Sequence, residues 1–191
     1  MNVARILYPV QVLGPGNRVG IWFCGCSRAC KGCSNPELWV PKPAYEVSPV
    51  EVYTLIQKIA ASHTIDGFTV SGGEPMDQAS SLAELIGLIS AISDDILIYT
   101  GYRIEELRVR SDHATDSILQ NASVMIDGAY IEEQNNGSVL RGSSNQQIHI
   151  LNKKYEDLYQ QYIAETHNQI QNFTTADGIV SVGIHHRGFS N

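Results

Sequence analysis

Four short apolar runs set the fold of this chain: VGIWF (19–23), GFTV (67–70), ILIYT (96–100) and SVMID (123–127). Each stops at a polar or glycine-rich turn, respectively CGCS, SGGEP, TGY and IDG. Between the first two, Ser48-Pro49-Val50-Glu51 has the pattern of a capping box with proline at the first helical position, and Val52, Leu55, Ile56 and Ile59 follow at helical spacing. The pattern predicts a helix over about 49–62. Leu82, Leu85, Ile86 and Ile89 mark a second helix, IEELRVR (104–110) a short third, and IHIL (148–151) a fifth strand. Strands alternating with helices require crossovers and a parallel sheet, so the fold class is α/β. In such sheets functional groups collect at the carboxyl ends of the strands, where these turns lie.

The first turn carries all four cysteines: Cys24, then Cys26, Cys30 and Cys33 at C-x3-C-x2-C spacing. Disulfides staple distant segments and would not crowd one loop. Zinc prefers four ligands in two pairs. Cys30 and Cys33 make one pair and Cys24 with Cys26 could complete a site, without the distant second pair that clamps two segments. Thiolates also hold iron–sulfur clusters, and three of them around a cubane leave one iron open to a substrate or cofactor. Cys24 reads either as a small buried hydrophobe at a strand end or as a further ligand.

The order of the remaining motifs narrows this choice. GPGNR (14–18), the cysteine loop with Gly32 before its third cysteine, SGGEPMDQ (71–78), YTGY (99–102), IDGAY (126–130) and RGSSNQ (141–146) follow one another along the chain. In that order, over roughly residues 5–150, the chain resembles the radical S-adenosylmethionine (SAM) superfamily and, within it, the activating proteins of anaerobic (class III) ribonucleotide reductase. The resemblance implies an incomplete (βα) barrel as a core over residues 1–151, with 152–191 as a C-terminal helix-strand extension packed on it. It implies a 4Fe–4S cluster on Cys26, Cys30 and Cys33, whose open iron binds SAM. Gly72, Gly73 and Glu74 would line the methionine ammonium, and Thr100, Asp127 and Arg141 would contact SAM or shape its pocket. It further implies an enzyme that cleaves SAM reductively to a 5′-deoxyadenosyl radical. The expected partner is a glycyl-radical protein like anaerobic ribonucleotide reductase, with a flavodoxin or ferredoxin as electron donor. The alternatives are a stand-alone radical SAM enzyme whose tail closes the pocket over a peptide or small molecule, and a zinc-binding interaction module.

Residues 1–43 hold Arg5, Arg18, Arg28, Lys31 and Lys42 against Glu37 alone, a net +4 that leaves −11 on the rest of a chain of formal net charge −7. A basic rim around the cysteine loop would suit an acidic partner, whereas the overall charge argues against nucleic-acid binding. No apolar run of about 18 residues occurs, so no transmembrane helix is expected. The start lacks a signal-peptide pattern, and clustered free thiols point to the cytoplasm. Gly14 to Gly20 reads G-x-G-x-x-x-G and precedes its strand, so it is no dinucleotide fingerprint; it reads as a turn or, by resemblance, a partner-receiving segment. Past residue 151, KKYEDLYQQYIAETHNQIQNF reads as an amphipathic helix with Leu158, Tyr162 and Ile163 on its apolar side, followed by a strand with a loose end. His185 and His186 are adjacent, so on a strand they would point to opposite faces and not share a metal.

Overall fold

In the computed structural model, which describes residues 1–176 and 178–185, six strands stand side by side in chain order. They are β1 (Val3–Val10), β2 (Arg18–Phe23), β3 (Gly67–Gly72), β4 (Ile96–Tyr99), β5 (Val124–Asp127) and β6 (Gln147–Ile150). The four from β2 to β5 are parallel, while β1 and β6 flank them antiparallel. The crossovers are α1 (Pro49–Ala60), α2 (Ala79–Ile89), and the pair α3 (Ile104–Arg108) and α4 (His113–Asn121). Ser48 caps α1 reciprocally: its hydroxyl accepts from the Glu51 amide, and its own amide donates to the Glu51 carboxylate.

A strand order that never reverses, joined by right-handed crossovers, puts the connecting helices on one face. Side-chain alternation agrees. Ile21 and Phe23 of β2, Phe68 and Val70 of β3, and Ile96 and Ile98 of β4 pack with Val52, Ile56, Leu82, Leu85 and Ile118 of the helices. Each such fully buried side chain contributes about 1.5–3 kcal/mol. The intervening residues face the other side. There Leu97, Val124 and Ile126 meet Tyr159 of α5 (Glu156–Glu165), and Trp22 and Cys24 meet Val182 of a hairpin formed by β7 (Ile170–Thr175) and β8 (Gly178–Gly183). The sheet is thus sandwiched between the crossover helices and the C-terminal segment.

A buried ion pair bolts these layers together. Arg18 is fully buried. Its Nη1 donates to Asp95 Oδ2 at 2.6 Å, Nε to Thr69 Oγ1 at 2.7 Å and Nη2 to the Phe68 carbonyl at 2.6 Å, while Tyr159 Oη donates to Asp95 Oδ1 at 2.7 Å. Burial would lower the Arg18 pKa; Tyr159 and Asp95 outweigh it and hold the guanidinium charged.

Three elements differ from the sequence reading. β1 is a strand despite Pro9, because it lies at an edge, where a missing amide donor is tolerated. α4 is a helix although only Thr115 and Ile118 are buried in it; the Asp112 side chain caps it, accepting from the Thr115 amide at 2.9 Å. The C-terminal helix ends at Glu165, and the residues expected to continue it form β7. Its buried residue is Tyr159, while Leu158 is 43% exposed. No helix among the described residues is long and apolar enough to cross a membrane.

Candidate functional site

The cysteine loop leaves β2 directly and is bound on both sides by backbone. The Gly25 amide donates to the Leu38 carbonyl at 2.8 Å and the Cys26 amide to the Trp39 carbonyl at 2.9 Å. On the other flank, the Gly73 amide donates to the Phe23 carbonyl and the Glu74 amide to the Gly25 carbonyl, both at 2.8 Å. This contact is what requires the two glycines. A Cβ on Gly73 would lie 2.2 Å from the Gly25 carbonyl oxygen, and one on Gly72, at φ +107°, would lie 2.4 Å from Phe23 backbone atoms. The Gly-Gly pair therefore docks the end of β3 against the cysteine loop.

Cys26, Cys30 and Cys33 are free, partly exposed thiols that line one cavity of about 190 Å³ with Gly72, Gly73 and Glu74. Burial pushes the Cys26 thiol up, opposed by the backbone amides of Ala29 and Arg28. Thr100 and Gly101 line the cavity beyond β4, and Gly128 and Tyr130 beyond β5, so the site gathers at the carboxyl ends of the parallel strands. Among the described residues, no three His, Cys, Asp or Glu side chains converge on a single ion-sized point. Three reduced thiols on one loop facing one cavity are the donor chemistry of an iron–sulfur cluster. Cys24 lies apart: it is fully buried in the apolar cluster with Trp22, Leu13 and Leu38, and its Sγ donates to the Val40 carbonyl at 3.2 Å.

The Glu74 carboxylate is buried and already held. Oε1 accepts from the Thr100 hydroxyl at 2.8 Å and the Met76 amide at 3.0 Å, and Oε2 from the Gly101 amide at 2.7 Å. Burial lifts its pKa above the usual carboxylate value, and these three hydrogen bonds offset only part of that rise. Asp127 does not line the cavity. Its Oδ2 accepts from the Ile104 amide at 2.8 Å at the start of α3 and lies 3.0 Å from His149 Nε2, and its Oδ1 lies 3.3 Å from Arg103 Nη1. Arg141 also stands back, donating to the Gln146 carbonyl and the Ser138 hydroxyl, both at 3.2 Å, while its neighbour Gly142 reaches the cavity.

Sequence reasoning missed a strap on the cysteine loop. The Asp77 carboxylate accepts from the Ser27 amide at 3.0 Å and from Tyr102 Oη at 2.7 Å. Arg28, inside the cysteine motif, stacks 3.8 Å from the Tyr102 ring centroid, and Arg110 lies 3.9 Å from the same centroid. Two guanidinium groups this close to one centroid occupy opposite faces, so the tyrosine is sandwiched. Hydrogen bonds from Tyr102 and Ser27 hold the Asp77 pKa below its ordinary value despite burial. The signal was present in MDQ and TGY, but only the fold brings them together.

Four of the five basic residues counted toward a rim lie against acidic partners, and Lys42 stands exposed over the Tyr45 ring. Arg18 is buried against Asp95, Arg5 pairs with Glu37 at 2.6 Å, and Lys31 lies 3.2 Å from Glu133 and 3.9 Å from Glu132. Arg28 lies 3.5 Å from Glu106. The sequence count missed these partners because four of the five acids are distant along the chain. The 14–18 segment leads into β2, where the Gly14 amide lies 3.4 Å from Tyr162 Oη. His185 lines the cavity; His186 lies outside the described residues.

The model of a family described as a 4Fe-4S single cluster domain matches residues 12–149. The anaerobic ribonucleoside-triphosphate reductase-activating protein of Vibrio cholerae is 32% identical over 150 residues, covering 74% of this chain and 94% of that protein. The proteins of the same name from Escherichia coli K12 and Enterobacteria phage T4 are 28% identical over 152 residues and 31% over 153. They cover 75% and 78% of this chain, and 96% and 93% of their own lengths.

Proposed function

The chain belongs to the 4Fe-4S single cluster domain family, together with the anaerobic ribonucleoside-triphosphate reductase-activating proteins, and on that premise we propose that it is a radical SAM activase. Its open six-stranded sheet is then the incomplete (βα) barrel of that superfamily, with residues 152–191 as an added extension. The observation that carries the reading is spatial. Three free thiols from one loop and the Gly72-Gly73-Glu74 turn line a single cavity at the strand carboxyl ends.

Cys26, Cys30 and Cys33 hold the 4Fe–4S cluster in this reading, and the site's donor set fits it. Held there, the cluster would supply the electron for reductive cleavage of SAM, the chemistry needed to install a glycyl radical on an anaerobic ribonucleotide reductase. The chain's residues orient the reactants. Gly72 and Gly73 border the cavity, and their missing Cβ atoms admit the Phe23 and Gly25 backbone, which holds the cysteine loop against the turn. The buried Glu74 places negative charge beside the cavity, where an ammonium is favoured, and Thr100 fixes its rotamer. Asp127 and Arg141 shape the pocket from behind by holding α3 and the 138–146 loop. A reduced flavodoxin or ferredoxin supplies the electron.

The test is anaerobic reconstitution with iron and sulfide, followed by SAM, a reductant and an anaerobic ribonucleotide reductase. A glycyl-radical signal on the reductase, with 5′-deoxyadenosine formed, supports the activase. Formation of 5′-deoxyadenosine without a glycyl radical would move the substrate to a peptide or small molecule, a reading favoured by the C-terminal segment reaching the cavity. Purified protein holding zinc but neither iron nor sulfide would end the radical reading.

A further inference from the structure

The cysteine-lined cavity has a wall that lies beyond the residues matched by the family model. Ser181, Val182, Gly183, Ile184 and His185 all line it, whereas the family match stops at residue 149. These residues end a two-stranded hairpin, an element only marginally stable alone, so its seat depends on what holds it. One anchor is apolar: Val182 is 3% exposed among Trp22, Leu13 and Leu38. The others are amide clasps. Gln171 Nε2 donates to the Pro9 carbonyl at 2.7 Å and its Oε1 accepts from the Gln11 amide at 3.0 Å. Asn168 Nδ2 donates to the Gly137 carbonyl at 2.8 Å, and Asn135 Nδ2 to the His185 carbonyl at 2.8 Å.

From this we infer that the Ser181–His185 segment is a substrate-selecting wall of the cysteine cavity, seated by the β7–β8 hairpin, which limits the size of what reaches the three thiols. Selection of a substrate rests on the cavity being the reaction site proposed above; the wall itself does not. The hairpin has a built-in lever. Gly183 sits at φ +142°, and a Cβ there would lie 2.2 Å from the Gln169 carbonyl oxygen, a clash with backbone that the strand pair cannot absorb. Gly183→Ala should therefore unseat the wall while leaving the six-stranded sheet intact. Asn135→Ala removes the clasp on the His185 carbonyl, together with the longer contacts of Asn135 to the Tyr130 hydroxyl and the Gly137 amide, both at 3.3 Å.

The experiment is thiol labelling of the full, reduced, metal-free chain with N-ethylmaleimide and with a polyethylene-glycol maleimide, read at each cysteine by mass spectrometry. In the unaltered chain the small reagent should modify Cys26, Cys30 and Cys33 well ahead of the bulky one. In Gly183→Ala and Asn135→Ala the bulky reagent should gain roughly tenfold at those three positions, because labelling follows the population of the opened hairpin. Cys24 packs in one cluster with Val182, so the folded sheet is followed instead by slow amide exchange in β3 and β4. If Gly183→Ala speeds that exchange, Asn135→Ala decides alone. Equal access of both reagents in the unaltered chain would overturn the inference, as would bulky-reagent rates unchanged by the variant that decides. Because no iron or SAM is used, a failure here leaves the radical reading intact, and inactive reconstituted enzyme with size-selective labelling would sink only that reading.

Discussion

Gly73 separates two physical uses of glycine. Its missing Cβ makes room for the Gly25 carbonyl, so Gly73→Ala forces backbone apart and should cost about 1–3 kcal/mol. Gly87, on α2 with nothing within 4 Å of a built Cβ, should instead gain up to about 1 kcal/mol as alanine, by helix propensity. Urea midpoints of the two variants should move in opposite directions. The Asp77–Tyr102 strap has a different readout. Tyr102→Leu removes both the ring between Arg28 and Arg110 and the hydrogen bond to Asp77. It should speed loss of the reconstituted cluster to a chelator, with a smaller effect in Tyr102→Phe, which keeps the ring. Equal chelation rates in all three proteins would show that the strap does not hold the loop. The cysteines and the Gly-Gly-Glu turn were legible in the sequence because their chemistry is local. The strap was not, because Ser27, Asp77 and Tyr102 acquire meaning only when β2, β3 and β4 lie side by side.

Among the elements, those with a strong period were read correctly: α1 and α2 carry apolar residues at helical spacing, and β2 to β5 are near-continuous apolar runs. α4 escaped because its only strong signal was a capping aspartate, and β7 because IQNFTT alternates weakly beside an amphipathic helix. The C-terminal elements are held by two consecutive aspartates that sequence patterns cannot pair. Asp94 accepts from Lys154 Nζ at 2.9 Å and from the Tyr155 hydroxyl, and these hydrogen bonds lower its pKa. A lowered carboxylate contributes stability above its unfolded value, and that contribution is lost as pH falls through the folded one. Anchoring of the segment before α5 should therefore weaken below about pH 3.8, and that pH step should be absent in Asp94→Asn, whose amide oxygen still accepts hydrogen bonds but does not titrate. Hydrogen exchange of residues 153–165 against pH checks this; identical profiles in the two proteins would refute it.

For the whole molecule, the Arg18–Asp95–Tyr159 network joins the sheet to the C-terminal layer. Tyr159→Phe removes one hydrogen bond to a charged group, at a cost of about 1.5–3 kcal/mol. Arg18→Ala strands a buried carboxylate and should cost about 3–5 kcal/mol. Composition had placed Arg18 on a basic rim; its burial shows why summed charge over a segment says little about a surface until partners are known. In the proposed function the cavity is a cluster site built from three of four neighbouring cysteines, with the fourth in the core. The most direct measurement is 5′-deoxyadenosine formed from SAM by the anaerobically reconstituted, reduced protein and its four cysteine-to-alanine variants. Cys26→Ala, Cys30→Ala and Cys33→Ala should each fall to background, and Cys24→Ala should keep most of the activity. Loss of the cluster in Cys24→Ala, or its retention with full SAM cleavage in any of the other three, would contradict the assignment.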